Sequence, residues 1–322
     1  MKFGAVAIGR NEGARLKRCL ESLSTAAAVV YVDSGSTDGS VQLALDRGAH
    51  VIELDMTIPF TAARARNAGF RHLREIASDL AYVQFVDGDS ELIGSWPEQG
   101  LSFLEMHTDV GAACGRLRER HPERSIYNWL CEREWDGPVG EIRACGGIAL
   151  MRVKAFEAVG GFLDDLIAGE EPELCVRLRA RGWRIWRVDS DMALHDAEMI
   201  RFSQWWQRNT RSGYSFAQGA HLHGAPPERH YVRESLRPWF WGICLPLACV
   251  LAGLTFGFWG WAALLIYPLH VVQKVVRSRG PLGHRALLAV FYMLGHFPEG
   301  WGEIKFLRDR LRGRQARLIE YK

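Results

Sequence analysis

From residue 3 to residue 87, short apolar runs alternate with amphipathic stretches, a rhythm that few folds accommodate. "FGAVAIG" reads as a strand, and "EGARLKRCLESLS" as a helix with Leu16, Leu20 and Leu23 at helical spacing. "AVVYVD" is a second strand. "STDGSVQLALDRG" opens on capping residues and closes on Gly, as a helix does. "HVIEL", "FTAARARNAGFRHLREIAS" and "LAYVQFVD" continue as strand, helix and strand. This alternation predicts an α/β fold, a doubly wound and mostly parallel sheet with helices on both faces. Such sheets bind ligands beyond the carboxyl ends of their strands. Asp33 and Asp87 each end a strand, so both are expected on that rim. Residues 110–195 are less regular: "VGAACGRLRER" and "WRIWRV" read as strands, "VKAFEAVGGF" and "EEPELCVRLRARG" as helices.

The strand ending at Asp87 runs directly into Gly88 and Asp89. Two carboxylates this close repel each other unless a positive partner lies between them. A divalent cation suits the pair, because Mg²⁺ or Mn²⁺ takes oxygen ligands and bridges to substrate phosphates. The alternative is an ordinary solvated turn.

Charge is unevenly spread. The net is +3, yet residues 273–322 hold eleven Lys or Arg against four Asp or Glu. A basic cluster of this kind seeks phosphate or anionic lipid. The seven cysteines form no CxxC pair and are odd in number, which argues for reduced thiols rather than a disulfide framework or zinc site. The N-terminus lacks the apolar length of a signal peptide, so the active part is expected in the cytosol.

Residues 239–272 contain no Asp, Glu, Lys or Arg, enough for one tilted span. Both flanks are basic, with Arg233 and Arg237 before and Lys274, Arg277 and Arg279 after. Positive flanks stay cytosolic, which favours a hairpin or re-entrant element over a single crossing. The buried hairpin of a soluble domain is the alternative. The expected organisation is the α/β domain over 1–222, a linker over 223–238, the apolar segment over 239–272, and a basic amphipathic cytosolic tail over 273–322.

Several motifs, taken in order, resemble the family 2 glycosyltransferases, inverting sugar-nucleotide enzymes with the GT-A fold. They are "AIGRNEGARLKRCLESL", "YVDSGSTDGS", "ARARNAG", "FVDGDSEL", "CGGIALMR", "VGGF", "AGEEPELCVRLRARGW" and "LHD". The resemblance covers about the first 200 residues and implies a role for each motif. Asn11 would shape the nucleotide pocket. Asp33 or its neighbour Ser34 would hold the base or ribose, although many members carry two acids there. Arg64, Arg66 and Asn67 would meet the diphosphate or ribose, or else form a solvated helix face. Asp89 would ligate the metal, with Asp87 reaching the ribose or a metal-bound water, and His195 would complete the shell. Gly146 and Gly147 would form a glycine loop under the donor. Glu170 and Glu171 occupy the place of the family's acidic pair, in which the second residue, usually Asp, is the general base. Trp205, Trp206 and Arg208 loosely resemble a segment of processive synthases, though Trp does not follow Arg208.

These readings converge on an inverting, metal-dependent glycosyltransferase at the cytoplasmic face of the inner membrane. Its expected donor is a nucleoside-diphosphate sugar. Its expected acceptor is a hydroxyl of a lipid-linked or other saccharide in cell-surface polysaccharide assembly, with no nucleic acid partner. A polyprenyl-phosphate sugar synthase is the near alternative. From other classes stand a nucleotidyltransferase, for which "AIGRNEG" is a poor triphosphate loop, and an inactive membrane-tethered sugar-nucleotide binding protein. A dinucleotide oxidoreductase is excluded because no G-x-G-x-x-G follows the first strand.

Overall fold

The structure, a computed structural model, describes residues 2–314 and 318–319. The end of the predicted basic tail, 315–317 and 320–322, lies outside the described residues. The chain divides into two compact units, Met1–Ile200 and Arg201–Lys322.

The first unit follows the predicted alternation. β1 (Phe3–Gly9), α1 (Ala14–Ser22), β2 (Ala28–Asp33), α2 (Ser40–Asp46), β3 (His50–Glu53), α3 (Ala62–Ile76) and β4 (Tyr82–Asp87) come first. Then follow β5 (Ser90–Leu92), α4 (Trp96–Met106), β6 (Val110–Glu119), α5 (Ile126–Trp135), β7 (Gly140–Glu141) and β8 (Ala149–Arg152). α6 (Val153–Ala158), α7 (Glu170–Ala180) and β9 (Arg184–His195) complete the unit. Among the described residues the strands form one sheet in the order β3-β2-β1-β4-β8-β6-β9-β5, with β7 on β9. β3, β2, β1 and β4 are mutually parallel, and β6 is parallel to β9. β8 is antiparallel to both β4 and β6, so β6 and β9 point the same way as β4. The carboxyl ends of β1, β2, β4, β6 and β9 therefore share one rim.

Helices on both faces explain why β2 is buried from Val30 through Asp33 instead of alternating. α3 starts at Thr61, whose Oγ1 accepts the Arg64 N–H at 3.0 Å. It then lies hard against the sheet: a Cβ on Gly69 would stand 2.5 Å from Val6 Cγ1. Phe70, Phe85, Phe156 and Phe162 tie α3, β4 and α6 together, with ring centroids 4.6 Å apart for Phe70–Phe156 and 5.4 Å for Phe85–Phe162.

The second unit is helical: α8 (Phe202–His223), α9 (Val232–Pro238), α10 (Leu245–Phe256), α11 (Phe258–Trp261), α12 (Ile266–Arg277) and α13 (Leu282–Leu311). α8 was expected to end the first domain, and 223–238 to be a linker. Instead α8 packs along α13, Trp205 against Phe291 and Tyr214 against Phe306, so it goes with the second unit. Small residues allow that approach: a Cβ on Gly213 would fall 1.9 Å from the Glu299 carbonyl oxygen. Residues 232–256 run as one continuous helix through a π-helical stretch, Trp239–Cys244. Among the described residues it is the one helix long and apolar enough to cross a membrane. The chain then reverses at Gly257 (φ 59°) and returns, so that the Tyr267 hydroxyl donates to the Trp241 carbonyl at 2.8 Å.

Candidate active site

Register places the first carboxylates. Gly9 pairs with Asp33 and Ile8 with Asp87, so both acids end their strands beside the end of β1. The loops after β1 and β2 are joined there. Asn11, in the left-handed region at φ 55°, donates its N–H to Ser36 Oγ at 2.9 Å and accepts the Thr37 N–H at 2.7 Å. Asp33 is buried; it accepts the Gly35 and Ser36 N–H groups and the Tyr31 hydroxyl. Burial and the adjacent Asp33 charge push the Tyr31 phenol pKa up, so the phenol remains a donor. The Ser34 hydroxyl is buried and has no hydrogen-bond partner among the described residues. Asp38 accepts the Gly13 N–H and the N–H of Ser40, the first residue of α2.

The partner of Asp87 is a side chain. Arg66 Nη2 meets Asp87 Oδ1 at 2.7 Å, and Arg66 Nη1 meets Glu170 Oε1 at 2.6 Å. Burial works against the guanidinium charge, but the two carboxylates outweigh it and hold the Arg66 pKa above its ordinary value. A solvated face for "RARNAG" is thereby corrected, because Arg64, Arg66 and Asn67 are all buried. Arg64 donates to the Asp55 and Ile58 carbonyls, and Asn67 bonds Phe162 and Asp164. Gly147 sits directly on this ion chain. A Cβ there would lie 2.7 Å from Arg66 Nη2, while Gly146 takes φ 86°. Gly88 is also close-packed: a Cβ there would lie 3.1 Å from the Ile8 carbonyl oxygen, which accepts the Gly88 N–H at 2.8 Å.

Asp89 and His195 form a second pair. Ser90 pairs with His195 across β5 and β9, which brings His195 Nε2 to 3.4 Å from Asp89 Oδ1. That separation is long for a hydrogen bond, and the buried His195 Nδ1 has no hydrogen-bond partner among the described residues. An oxygen and an imidazole nitrogen at this spacing suit two ligands of one divalent cation. The cluster of three or more potential ligands within 4.8 Å among the described residues is a different one, Cys145, Glu171 and Cys175.

That buried cluster defines the environment of Glu171. Its Oε1 accepts the Cys145 N–H at 2.6 Å and the Cys175 thiol at 3.0 Å, directly beneath the glycine loop. The thiols stand 3.7 Å apart. Hydrogen bonding to Cys175 and burial push the Cys145 thiol pKa well up, and burial raises that of Cys175. Both stay protonated and unreactive at neutral pH. The acidic pair is thus divided, with Glu170 tied to Arg66 and Glu171 held under residues 145–147.

Glu119 belongs to the same rim and escaped the sequence reading. It is buried at the end of β6, in register with His195, with Oε2 3.8 Å from His195 Nδ1. It also accepts the Ala197 N–H and an Asn128 amide hydrogen. The strand-end rule that marked Asp33 and Asp87 applies equally to "RLRE", which closes a predicted strand.

Residues 8–160 match the model described as "Glycosyl transferase family 2". The succinoglycan biosynthesis protein ExoA of Rhizobium meliloti (strain 1021) is 25% identical, covering 94% of each chain. An N-acetylglucosaminyl-diphospho-decaprenol L-rhamnosyltransferase of Mycobacterium tuberculosis is 28% identical over 59% of this chain and 74% of its own. The Pyrobaculum calidifontis mannosyltransferase PcManGT, solved with GDP-Man and Mn²⁺, superposes with a TM-score of 0.65 at 18% identity, covering 96% of this chain and 88% of that one. S. aureus TarS 1–349 superposes with a TM-score of 0.53 at 13% identity, covering 98% and 92%. The chain is thus a glycosyltransferase with the GT-A fold, similar over residues 8–160 to glycosyltransferase family 2.

Proposed function

We propose that the protein transfers a sugar, with inversion, from a nucleoside-diphosphate sugar to a hydroxyl of a lipid-linked or other saccharide acceptor. The reaction would serve cell-surface polysaccharide assembly at the cytoplasmic face of the inner membrane. The observation that carries this reading is the single rim on which Asp33, Asp87, Glu119 and His195 close their strands, with Asp89 just beyond the end of β4 and Glu170 bound to Arg66. The printed names of ExoA and the rhamnosyltransferase support the assembly role and the lipid-linked acceptor. The Mn²⁺ in the PcManGT complex supports a divalent cation, Mg²⁺ or Mn²⁺.

In this reading Asn11, Asp33 and Ser34 hold the nucleoside, in a pocket already shaped by the joined loops. Asp89 and His195 would hold the cation, which when bound supplies positive charge to the departing nucleoside diphosphate. Arg66 fixes Asp87 toward the ribose side, and Gly146 and Gly147 let backbone approach the donor. Glu170 already shares a guanidinium with Asp87, so its part is to brace Arg66. Glu171, at a helix N-terminus and bonded by the neutral Cys145 N–H and Cys175 thiol, is assigned the base. It takes the proton of the acceptor hydroxyl as that oxygen bonds to C1; the bond from C1 to the diphosphate oxygen breaks, and the nucleoside diphosphate leaves with the electron pair.

Calorimetric titration of the detergent-purified protein with UDP, GDP and TDP, with and without Mn²⁺, tests the site. One nucleotide is expected to bind with metal, and Asp89→Ala to weaken it about tenfold or more. Binding that ignores both metal and Asp89 would refute the shared site. Glu171→Gln is expected to keep nucleotide binding and lower turnover by about 10²–10⁴-fold. Full activity in that variant would instead favour the lipid-phosphate acceptor, which needs no strong base.

A further inference from the structure

We propose that residues 239–272 enter a lipid bilayer as a re-entrant hairpin, with the turn at Gly257 left in the apolar interior and both ends on one face. The inference rests on the membrane-associated reading for its purpose, and on the following geometry for its content. The hairpin is real: Tyr267 returns beside Trp241, and the Trp241 and His270 rings stand 4.3 Å apart. Gly257 lies sixteen positions beyond Trp241, a helical reach of about 24 Å against an apolar core of about 30 Å.

The turn has the chemistry of a lipid-facing tip. A hairpin crossing fully would present a polar loop to the far headgroups. Here the turn is Phe256-Gly257-Phe258-Trp259, with Phe258 80% and Trp259 81% exposed. Hydrocarbon demands that every backbone polar group be satisfied within the protein. The Gly257 carbonyl accepts the N–H groups of Gly260 and Trp261 at 3.0 and 3.2 Å, and the Thr255 hydroxyl donates to the Leu251 carbonyl at 2.9 Å. The two arms meet through small residues, as they must where lipid supplies no drive to associate. A Cβ on Gly260 would lie 1.9 Å from the Ala252 carbonyl oxygen.

The flanks commit the partner to an anionic leaflet. Arg233, Arg237, Arg277 and Arg279 are exposed at the two ends of the apolar run, where headgroup phosphates would meet them. A buried hairpin of a soluble domain would cover Leu254, Phe256, Phe258 and Trp259, and the structure leaves all four exposed.

The test is cysteine labelling of the full-length protein bound to preformed sealed vesicles of phosphatidylcholine and phosphatidylglycerol. The background is Cys244→Ser, which removes the exposed cysteine. Arg233→Cys and Arg279→Cys are both expected to react with an impermeant maleimide added outside. Trp259→Cys is expected to react with neither outside reagent nor reagent trapped in the lumen until detergent is added. Lumenal labelling at 259 would mean two full crossings, and lumenal labelling at 233 or 279 a single one; either overturns the proposal. Outside labelling at 259 would show that the hairpin does not insert. Association that is equally strong on phosphatidylcholine alone would overturn the anionic-leaflet assignment. Labelling is read without turnover, and nucleotide titration of the same samples reports separately on the transferase reading.

Discussion

Arg66 shows how one residue joins parts of the rim that lie far apart in sequence. Its fork spans Asp87 at the end of β4 and Glu170 at the start of α7, and Gly147 rests upon it. Arg66→Ala leaves two carboxylates facing each other without their cation. The expected cost is about 2–4 kcal/mol, toward the low end because Asp87 keeps some solvent. Denaturant unfolding checks this. Arg66→Lys is expected to recover little, since one ammonium does not reproduce a planar fork between two acids. The sequence marked Asp87 as needing a positive neighbour, and Arg66 supplies one. Nothing in "RARNAG" says which Arg turns inward; the packing of α3 on β1 and β2 decides that.

The elements themselves were largely legible. Strand–helix alternation placed β1 to β4 and α1 to α3, because a parallel sheet buries whole strands and amphipathic helices cover them. β5, β7 and β8 were not read: they are two to four residues long and have no period to detect. β9 was seen only as "WRIWRV", although it runs on to His195. Its distal half is held by pairing with β5 and β6, which is information that lies outside the segment. In the second unit glycines set the helix spacing. Gly213→Ala forces a methyl group onto the Glu299 carbonyl and is expected to destabilise the α8–α13 pair by about 1–3 kcal/mol. Thermal unfolding in detergent measures it, and a variant as stable as wild type would show that the helices separate at no cost.

At the scale of the molecule, the two units have separate cores and are expected to unfold in separate steps. The second contains a buried acid, Glu303, whose Oε2 accepts Ser235 Oγ and Trp239 Nε1. Burial raises its pKa to about 7, against the lowering effect of those two donors. A carboxyl raised in the folded state favours the protonated form. Its stabilising effect is complete below the ordinary carboxyl range, falls as pH rises, and is lost through pH 7. The second transition is therefore expected to move to lower temperature between pH 5 and pH 7.5, and Glu303→Gln to remove that slope. Calorimetry across pH decides it, and an unchanged slope in the variant would place the titrating group elsewhere.

The sequence by itself determined the fold class, the strand ends that carry carboxylates and the uncharged run that must avoid water. Each follows from local periodicity or composition, which a linear reading captures. Only tertiary structure decided that Asp87 meets Arg66, that Glu119 stands behind His195, that Glu170 and Glu171 face different partners, and that the expected hairpin turns at Gly257. Those outcomes depend on strand register and on helices approaching at glycines. Register and approach are set by contacts between residues tens of positions apart, and no window of sequence contains both partners.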